Sequence, residues 1–129
     1  MYFYLKSSDS LDLFPNNEPY DFIVELPESL FLDDGKWSCN LSNISQPDEG
    51  DRLVLIDSLE YSFVHGAYKP VLRRINSPLE DFSIPQWVAV KTAFVKRFHV
   101  QILDFKTLKP PSAAPEGSST QLLIELKRI

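Results

Sequence analysis

Two histidines and a short acidic cluster are the residues of this chain that could bind a metal ion or catalyse acid–base chemistry. His65 and His99 lie far apart in sequence, and neither has a second histidine or a cysteine at the spacing of a zinc site. We interpret His65 as a turn residue and His99 as a residue on the wet face of a strand. Asp48, Glu49 and Asp51 lack the alternating ligand spacing of a calcium-binding loop. The sequence therefore predicts no metal site.

The residues that could act as nucleophiles or bases do not fall into a catalytic motif. The chain has no Gly-x-Ser-x-Gly, no P-loop and no Gly-x-Gly-x-x-Gly pattern, and it contains four glycines in all. The carboxylate pair Asp33-Asp34 stands in a predicted turn. Cys39, the single cysteine, lies on an apolar face and is expected to be a buried thiol without a disulfide partner. We expect no catalytic residues, no cofactor and no enzymatic activity.

The closest approach to a nucleic-acid-binding pattern is a group of aromatic and basic residues late in the chain. Phe94 and Phe98 could stack bases while Lys96 and Arg97 contact phosphates. Phe98, however, belongs to the apolar set of its strand and is predicted to lie in the core. The chain also has no basic arm beyond its terminal strands. The sequence therefore does not favour direct nucleic-acid binding.

Length and composition indicate one globular domain over residues 1–129. Apolar residues make up 43% and charged residues 24%, both ordinary values for a folded domain. Ten prolines against four glycines favour fixed loops and strand ends over helices. No apolar run approaches the roughly 20 residues that a membrane span requires, so we expect no membrane insertion. The first residues lack a basic lead before an apolar run, so we expect no secretion by a signal peptide.

The stretch from Tyr20 to Ser45 carries the clearest structural pattern. Apolar residues alternate with polar ones in two runs, which indicates strands with one buried face. The buried face comprises Phe22, Val24 and Leu26 in the first run and Trp37, Cys39 and Leu41 in the second, where Ser38, Asn40 and Ser42 form the wet face. The two runs flank a turn at Asp33-Asp34-Gly35. We interpret them as a half-buried antiparallel pair.

Further short strands, separated by turn and proline signals, bring the predicted total to nine. Besides the pair above, they comprise residues 2–6, Leu53–Ile56 (buried on both faces), Leu59–Val64 and Tyr68–Ile75 (a hairpin around His65-Gly66), Trp87–Val90, Phe94–Phe105 and Gln121–Arg128. Residues 76–85 and 109–119 are predicted loops. No window shows a helical period with a cap and a stop signal. Regular short strands of this kind are typical of an antiparallel β-sandwich or barrel.

The charges are distributed unevenly along the chain. Residues 1–68 contain 3 basic and 13 acidic side chains (−10), whereas residues 69–129 contain 10 basic and 5 acidic ones (+5). Such a split could indicate a nucleic-acid-binding half or a head-to-tail contact between subunits. We favour a third interpretation, in which early and late strands lie side by side and opposite charges pair across the sheet.

Three segments resemble a known protein family. They are Leu13–Pro27 leading to Gly35-Lys36-Trp37, Pro70–Ile75, and Pro85–Lys91 before the long penultimate strand. Together they resemble the small capsid proteins of Polinton (Maverick) elements and adintovirus-like DNA viruses, in particular the penton-type minor capsid protein with a single jelly roll. Proteins of that type often carry insertions in their outer loops, whereas this chain is nearly a bare jelly roll.

The resemblance implies an eight-stranded jelly roll with an extra N-terminal strand. If the eight strands from Tyr20 onward are named B to I, sheets BIDG and CHEF pair Tyr20–Leu26 with Gln121–Arg128 and Lys36–Ser45 with Val95–Asp104. The long strand Phe94–Phe105 then lies against the Trp37 strand in the middle of its sheet. This arrangement also places early acidic strands beside late basic ones.

The resemblance further implies a non-enzymatic structural protein of the virion, assembled inside the host cell in the nucleus or cytoplasm. The expected partners are further copies of the chain, forming a pentamer, and a major capsid protein. The alternative is a β-sandwich binding module, either a nucleoplasmin-like chaperone or a carbohydrate-binding domain. A chaperone of that kind should contain a long acidic tract, which is absent here, and a carbohydrate binder should expose a row of aromatic residues.

Overall fold

The computed structural model describes residues 1–32 and 36–128, and this part of the chain is all β, without a helix. Its strands are β1 (Tyr2–Lys6), β2 (Asp21–Phe31), β3 (Trp37–Ser45), β4 (Arg52–Ile56), β5 (Ser62–Val64), β6 (Ala67–Lys69), β7 (Val71–Ile75), β8 (Leu79–Asp81), β9 (Val88–Ala89), β10 (Phe94–Asp104) and β11 (Gln121–Arg128). The predicted turn at Asp33-Asp34-Gly35 lies outside the described residues. Within them, no helix is long and apolar enough to cross a membrane.

The strands form two antiparallel sheets and a separate hairpin. One sheet has the order β1-β11-β3-β8, with β9 also paired to β3, and the other has the order β2-β10-β4-β7. Among the described strands, β5 and β6 pair only with each other. Their connecting turn, His65-Gly66, has φ angles of 47° and 80°, the left-handed conformation that a two-residue hairpin turn requires and that glycine adopts without strain.

A single apolar core lies between the two sheets and makes the structure a sandwich. Both sheets contribute fully buried residues, including Phe22, Phe98 and Ile102 from the second sheet and Leu41, Ile44, Leu122 and Ile124 from the first. The edge strand β1 adds Leu5 to this core. The rings of Phe3 and Phe98 contact each other edge to face across the sandwich, with centroids 5.5 Å apart. The predicted burial of Leu41 and Phe98 is confirmed, and they lie in one core with Val100 and Ile102, whereas Trp37 packs at its margin, half-buried.

A second, smaller core covers the outer face of the second sheet. Leu53, Leu55 and Leu103 are buried there, and Val64 of the hairpin packs against them. Every residue of β4 is consequently buried, because its alternate side chains point into the main core and into this smaller one. The prediction that this strand is buried on both faces is confirmed.

The predicted antiparallel pair around residues 33–35 is wrong. β2 and β3 belong to opposite sheets: β2 pairs with β10, and β3 pairs with β11. The alternation of each strand correctly identified its buried face. A period of two, however, does not distinguish two neighbouring strands of one sheet from two strands that face each other across a core.

The strand pairings implied by the family resemblance are also wrong, and all for one reason. β1, treated as an extra strand, occupies the edge position beside β11, so that β11 is already flanked by β1 and β3. β2 therefore lies beside β10, and β10 lies in the middle of its sheet between β2 and β4. The long strand does not pair with the Trp37 strand.

Smaller corrections concern exposure and loop content. Ser38 and Asn40, predicted on a wet face, are buried, because β9 and the residues before it cover that part of β3: the Gln86 backbone N–H donates to Asn40 Oδ1 at 3.0 Å. The predicted loop over residues 76–85 contains β8, and the second arm of the predicted hairpin divides into β6 and β7. The loop over residues 109–119 has no strand, although Pro111 is buried and Ala114 packs against the core.

Candidate functional site

The two histidines lie in separate environments and do not share a site. His65 forms the hairpin turn, as predicted, and its ring contacts Phe105 edge to face at 4.7 Å. His99 is on the outer side of β10, where its Nε2 lies 2.6 Å from Asp21 Oδ1. No cluster of three or more histidine, cysteine, aspartate or glutamate side chains within the described residues is arranged to hold a metal ion.

Two of the three acidic residues before β4 form ion pairs with arginine side chains. Asp51 makes a two-pronged ion pair with Arg74, with distances of 2.7 Å to Nε and 2.6 Å to Nη2. Asp48 binds Arg52, whose Nη1 lies 2.5 Å from Asp48 Oδ1. The sequence pattern gave no sign of these arginine partners, which follow their acids by 4 and 23 positions.

Arg52 is the centre of a buried polar cluster that ties one end of the sandwich together. Its side chain is 6% exposed, and Nη1 donates to Tyr20 Oη and Gln46 Oε1, both at 3.1 Å. The Tyr20 hydroxyl in turn donates to Asp48 Oδ1. Asp104 Oδ1 lies 3.7 Å from Arg52 Nε. The cluster therefore joins the residue before β2, the loop before β4 and the end of β10.

The pKa values in this cluster follow from its contacts. Hydrogen bonds from Arg52, and then from Tyr20, hold the pKa of Asp48 below its usual range. Burial, followed by the hydrogen bond to Asp48, raises the pKa of Tyr20 to about 12. At neutral pH the cluster thus contains an ionised carboxylate, a charged guanidinium and a neutral phenol, each with a partner. We interpret the cluster as structural.

The remaining sequence candidates do not assemble into a binding platform. Phe98 is buried in the core, as predicted, and Phe94 packs against Phe31 at the surface, with ring centroids 5.1 Å apart. Lys96 donates to the Leu26 carbonyl and Arg97 pairs with Glu25. Cys39 is 1% exposed, and burial raises the pKa of its thiol to about 12, so it is a structural residue.

The β2 edge of the second sheet is closed over residues 21–25 by side chains and by a tight backbone turn. Asn17 mimics a neighbouring strand: its Nδ2 donates to the Ile23 carbonyl at 2.8 Å and its Oδ1 accepts from the Ile23 N–H at 3.0 Å. Ser10 Oγ accepts from the Glu25 N–H, and Glu18 exchanges both backbone bonds with Asp21. These bonds use the outward backbone groups of β2 that another strand would need.

The β1 edge of the first sheet is less completely closed. Its hydrogen bonds with β11 determine which backbone groups of β1 face outwards. Residues of an antiparallel strand alternate between those whose backbone groups face the partner strand and those whose groups face away. Met1 exchanges both backbone bonds with Leu126, and the Ser7 N–H donates to the Thr120 carbonyl. The backbone groups of odd-numbered residues in this segment therefore face β11, and the backbone groups of even-numbered residues face outwards.

The outward backbone groups of β1 are open at two residues. Lys6 is capped by Asp9, which accepts from the Lys6 N–H at 3.0 Å and donates its own N–H to the Lys6 carbonyl at 3.0 Å. For Tyr2 and Tyr4 no such partner lies within residues 1–32 or 36–128. Two N–H and two C=O groups therefore face outwards along this edge.

The side chains around this open edge are aromatic and exposed. Tyr2 is 62% exposed and Tyr4 is 65% exposed, and both stand on the outer face of the sheet. Tyr4 is opposite Leu123 in the register, and Tyr2 is opposite Glu125. On the same face, Lys127 Nζ lies 5.7 Å from the ring centroid of Trp87. We call the segment Tyr2–Tyr4 the open edge. The sequence indicated the strand but contained no local signal of its place in the sheet.

No protein-family model and no curated protein matches the chain.

Proposed function

We propose that the chain is a non-enzymatic structural subunit of a virion, a penton-type minor capsid protein with a single jelly roll, from an icosahedral DNA virus or a Polinton-like element. The observation that carries this proposal is the strand order of the two sheets. A jelly roll consists of eight strands in two sheets and is a recurrent capsid fold.

If β1 is taken as strand B, the order β1-β11-β3-β8 corresponds to the order B-I-D-G, and the order β2-β10-β4-β7 corresponds to C-H-E-F. In this assignment the β5–β6 hairpin is part of the connection between E and F, and β9 accompanies G. The N-terminal strand is then the first strand of the jelly roll and not an addition to it. Naming β1 instead of the Tyr20 strand as B shifts the letters of the following strands by one, and this shift accounts for the pairings that were predicted wrongly.

The fold alone does not determine the function, because jelly rolls also occur in lectins and cupins. The capsid assignment depends on the three segments that resemble Polinton and adintovirus-like minor capsid proteins. They lie on β2 and the loop before it, on β7, and around β9, so the resemblance draws on both sheets. The open edge adds a surface suited to contact with another chain.

The proposed working form is a closed ring, a pentamer at a capsid vertex, in contact with a major capsid protein. A head-to-tail contact closes into a ring only when its rotation divides the full circle, so one defined size is expected. Assembly takes place inside the host cell, in the nucleus or the cytoplasm. Direct contact with nucleic acid and insertion into a membrane are not part of the proposal.

The experiment is mass measurement on purified protein across protein and salt concentrations, combined with electron microscopy of the same samples. The proposal expects a discrete ring, either with the protein alone or with the major capsid protein of the same genetic element. If charge contacts contribute to the joint, the ring dissociates more readily as salt shortens the Debye length below about 8 Å. A monomer in every sample, with and without that partner, would contradict the proposal.

A carbohydrate-binding module is the second candidate, favoured by the exposed Tyr2 and Tyr4 on the same face of the sheet as the ring contact between Lys127 and Trp87. Aromatic faces of this kind can stack on sugar rings. The discriminating measurement is titration with soluble oligosaccharides, monitored by tryptophan fluorescence. Saturable binding that is lost in Tyr4→Ala, without ring formation, would favour this candidate over the capsid subunit.

A further inference from the structure

We propose that the open edge pairs with the open edge of a second copy of this chain, so that two first sheets join into one continuous antiparallel sheet around a two-fold axis. The inference follows from the backbone and side chains of β1. It goes beyond the capsid proposal, since a two-fold contact closes at two copies whereas a ring of five requires a separate head-to-tail contact.

The positions of the open groups determine the register of the pair. In an antiparallel pair, two residues that face each other through their backbone groups exchange both hydrogen bonds. With the axis at Phe3, Tyr2 of each copy faces Tyr4 of the other, and all four open groups of each chain are satisfied. A shift that brings Lys6 into the pair would have to displace Asp9, which already uses both outward groups of Lys6.

The side chains fit the same register. On the outer face, each Tyr2 stands beside a Tyr4 of the other copy, and cross-strand aromatic pairs of this kind stabilise a sheet. On the inner face, the half-buried Phe3, which packs on Phe98, meets its own copy at the axis. The pairing therefore covers apolar surface on both faces of β1.

The charges permit the contact as well. Across the joined sheet, each row of outer-face side chains consists of Glu125 and Tyr2 of one copy followed by Tyr4 and Leu123 of the other. This order follows from the register, which places Glu125 beside Tyr2 and Leu123 beside Tyr4. The two Glu125 side chains are thus separated by both β1 strands, and no like charges face each other directly. A contact through one short strand is small compared with a standard interface, so we expect a weak, concentration-dependent dimer.

The contrast with the other sheet supports a specific use of this edge. Natural proteins usually block exposed edges, because unpaired backbone groups invite association. The edge of β2 is closed at Asp21, Ile23 and Glu25 by Glu18, Asn17 and Ser10, while the described residues close β1 only at Lys6. The block on β1 thus stops where the proposed pairing begins.

The test combines sedimentation equilibrium with a matched pair of double variants. Tyr2→Lys/Tyr4→Lys places like charges opposite each other twice across the axis, which destabilises a cross-strand pair, and should weaken dimerisation at least about tenfold. Tyr61→Lys/Tyr68→Lys changes two tyrosines of similar exposure away from β1 (58% and 67%) and should dimerise like the unmodified chain. Circular dichroism and thermal melting establish that both variants are folded.

Disulfide trapping tests the register independently. Residues at a non-hydrogen-bonded antiparallel position have Cα atoms about 4.5 Å apart, within the range of a disulfide, so Phe3→Cys should form a covalent dimer under mild oxidation. Lys6→Cys lies beyond the paired residues and should not, and the buried Cys39 does not compete.

An unmodified chain that stays monomeric at all concentrations would overturn the proposal. So would a dimer that persists in the folded Tyr2→Lys/Tyr4→Lys variant and yields no Phe3→Cys disulfide. A chain that is monomeric on its own would overturn the edge pairing alone, because the capsid proposal also allows a ring that forms only with the major capsid protein, and the capsid experiment tests that case separately.

Discussion

Glu25 and Arg97 lie directly opposite each other in the register of β2 and β10, and their side chains form an ion pair of 2.7 Å. One residue comes from the acidic first half of the chain and the other from the basic second half. Asp51 and Arg74 form a second ion pair between an acid of the first half and a base of the second half. The uneven charge distribution is therefore partly cancelled within one subunit, and the prediction that early and late strands bring opposite charges together is confirmed.

Loss of the Arg52 side chain should destabilise the fold far more than loss of Arg97. Arg52→Met leaves Tyr20 and Gln46 without their buried donor, and we expect a loss of about 2–4 kcal/mol in the free energy of unfolding. Arg97→Met removes an ion pair whose arginine is 52% exposed and should cost less than about 1 kcal/mol. Urea titration measures both, and equal losses would show that the buried cluster contributes no more than a surface pair.

Stability should decrease at both ends of the pH range through Asp48 and Tyr20. Asp48 has a lowered pKa in the folded protein, so its contribution is complete above the unfolded value of about 4 and is lost as the pH falls through the lower folded value. Tyr20 has a pKa raised to about 12; its contribution is complete below the unfolded value of about 10 and is lost as the pH rises towards 12.

Two single variants separate these effects in measurements of unfolding free energy against pH. Asp48→Asn should reduce the acid-side slope, and Tyr20→Phe should reduce the alkaline-side slope. Unchanged slopes in both variants would contradict the assignment of these pKa shifts to the Arg52 cluster.

Truncation of aromatic residues should follow their depth in the sandwich. Phe98→Ala removes a fully buried ring and should cost about 3–5 kcal/mol through lost burial and cavity formation. Trp37→Ala should cost less, about 1–3 kcal/mol, because its ring is only half-buried at the margin. Phe31, 75% exposed, is the surface control and should cost less than about 1 kcal/mol. A reversed order in denaturant titrations would show that the sandwich has a different core.

The loop over residues 109–119 should tolerate a short deletion at its tip only. Glu116 and Gly117 are exposed, and loop-closure entropy changes slowly with length, so their removal should leave the melting temperature nearly unchanged. A deletion that includes Pro111 and Ala114 should lower it, because Pro111 is buried and Ala114 packs on the core. Equal effects of the two deletions would mean that these contacts do not stabilise the fold.

The strand positions could be predicted from the sequence because they depend on a local pattern. The alternation around Phe98, Val100 and Ile102 predicted a strand over residues 94–105, and the structure has β10 at Phe94–Asp104. The pairing of strands could not be predicted in the same way. It depends on which edge the segment Tyr2–Lys6 occupies, and five residues of alternating pattern contain no information on their neighbour.

The candidate sites were less predictable still, because they depend on contacts between distant segments. Arg52 begins an apolar strand, and its burial is stabilised by Tyr20, 32 positions earlier, as well as by the nearby Gln46 and Asp48. The open edge is likewise defined by where the caps end: Asp9 closes Lys6, and no equivalent residue within the described part of the chain closes Tyr4. Ser8-Asp9-Ser10 and Asn16-Asn17 are residue types typical of turns, but nothing in the sequence indicates that they close strand edges.

The central claim is that the chain is a structural subunit of a capsid, and the most direct test is co-expression with the major capsid protein encoded by the same genetic element. Purified shells should contain this chain in a fixed ratio to the major protein, and electron cryomicroscopy should locate it at the five-fold vertices. Shells that assemble without the chain, or that contain it in no fixed ratio and at no defined position, would contradict the account.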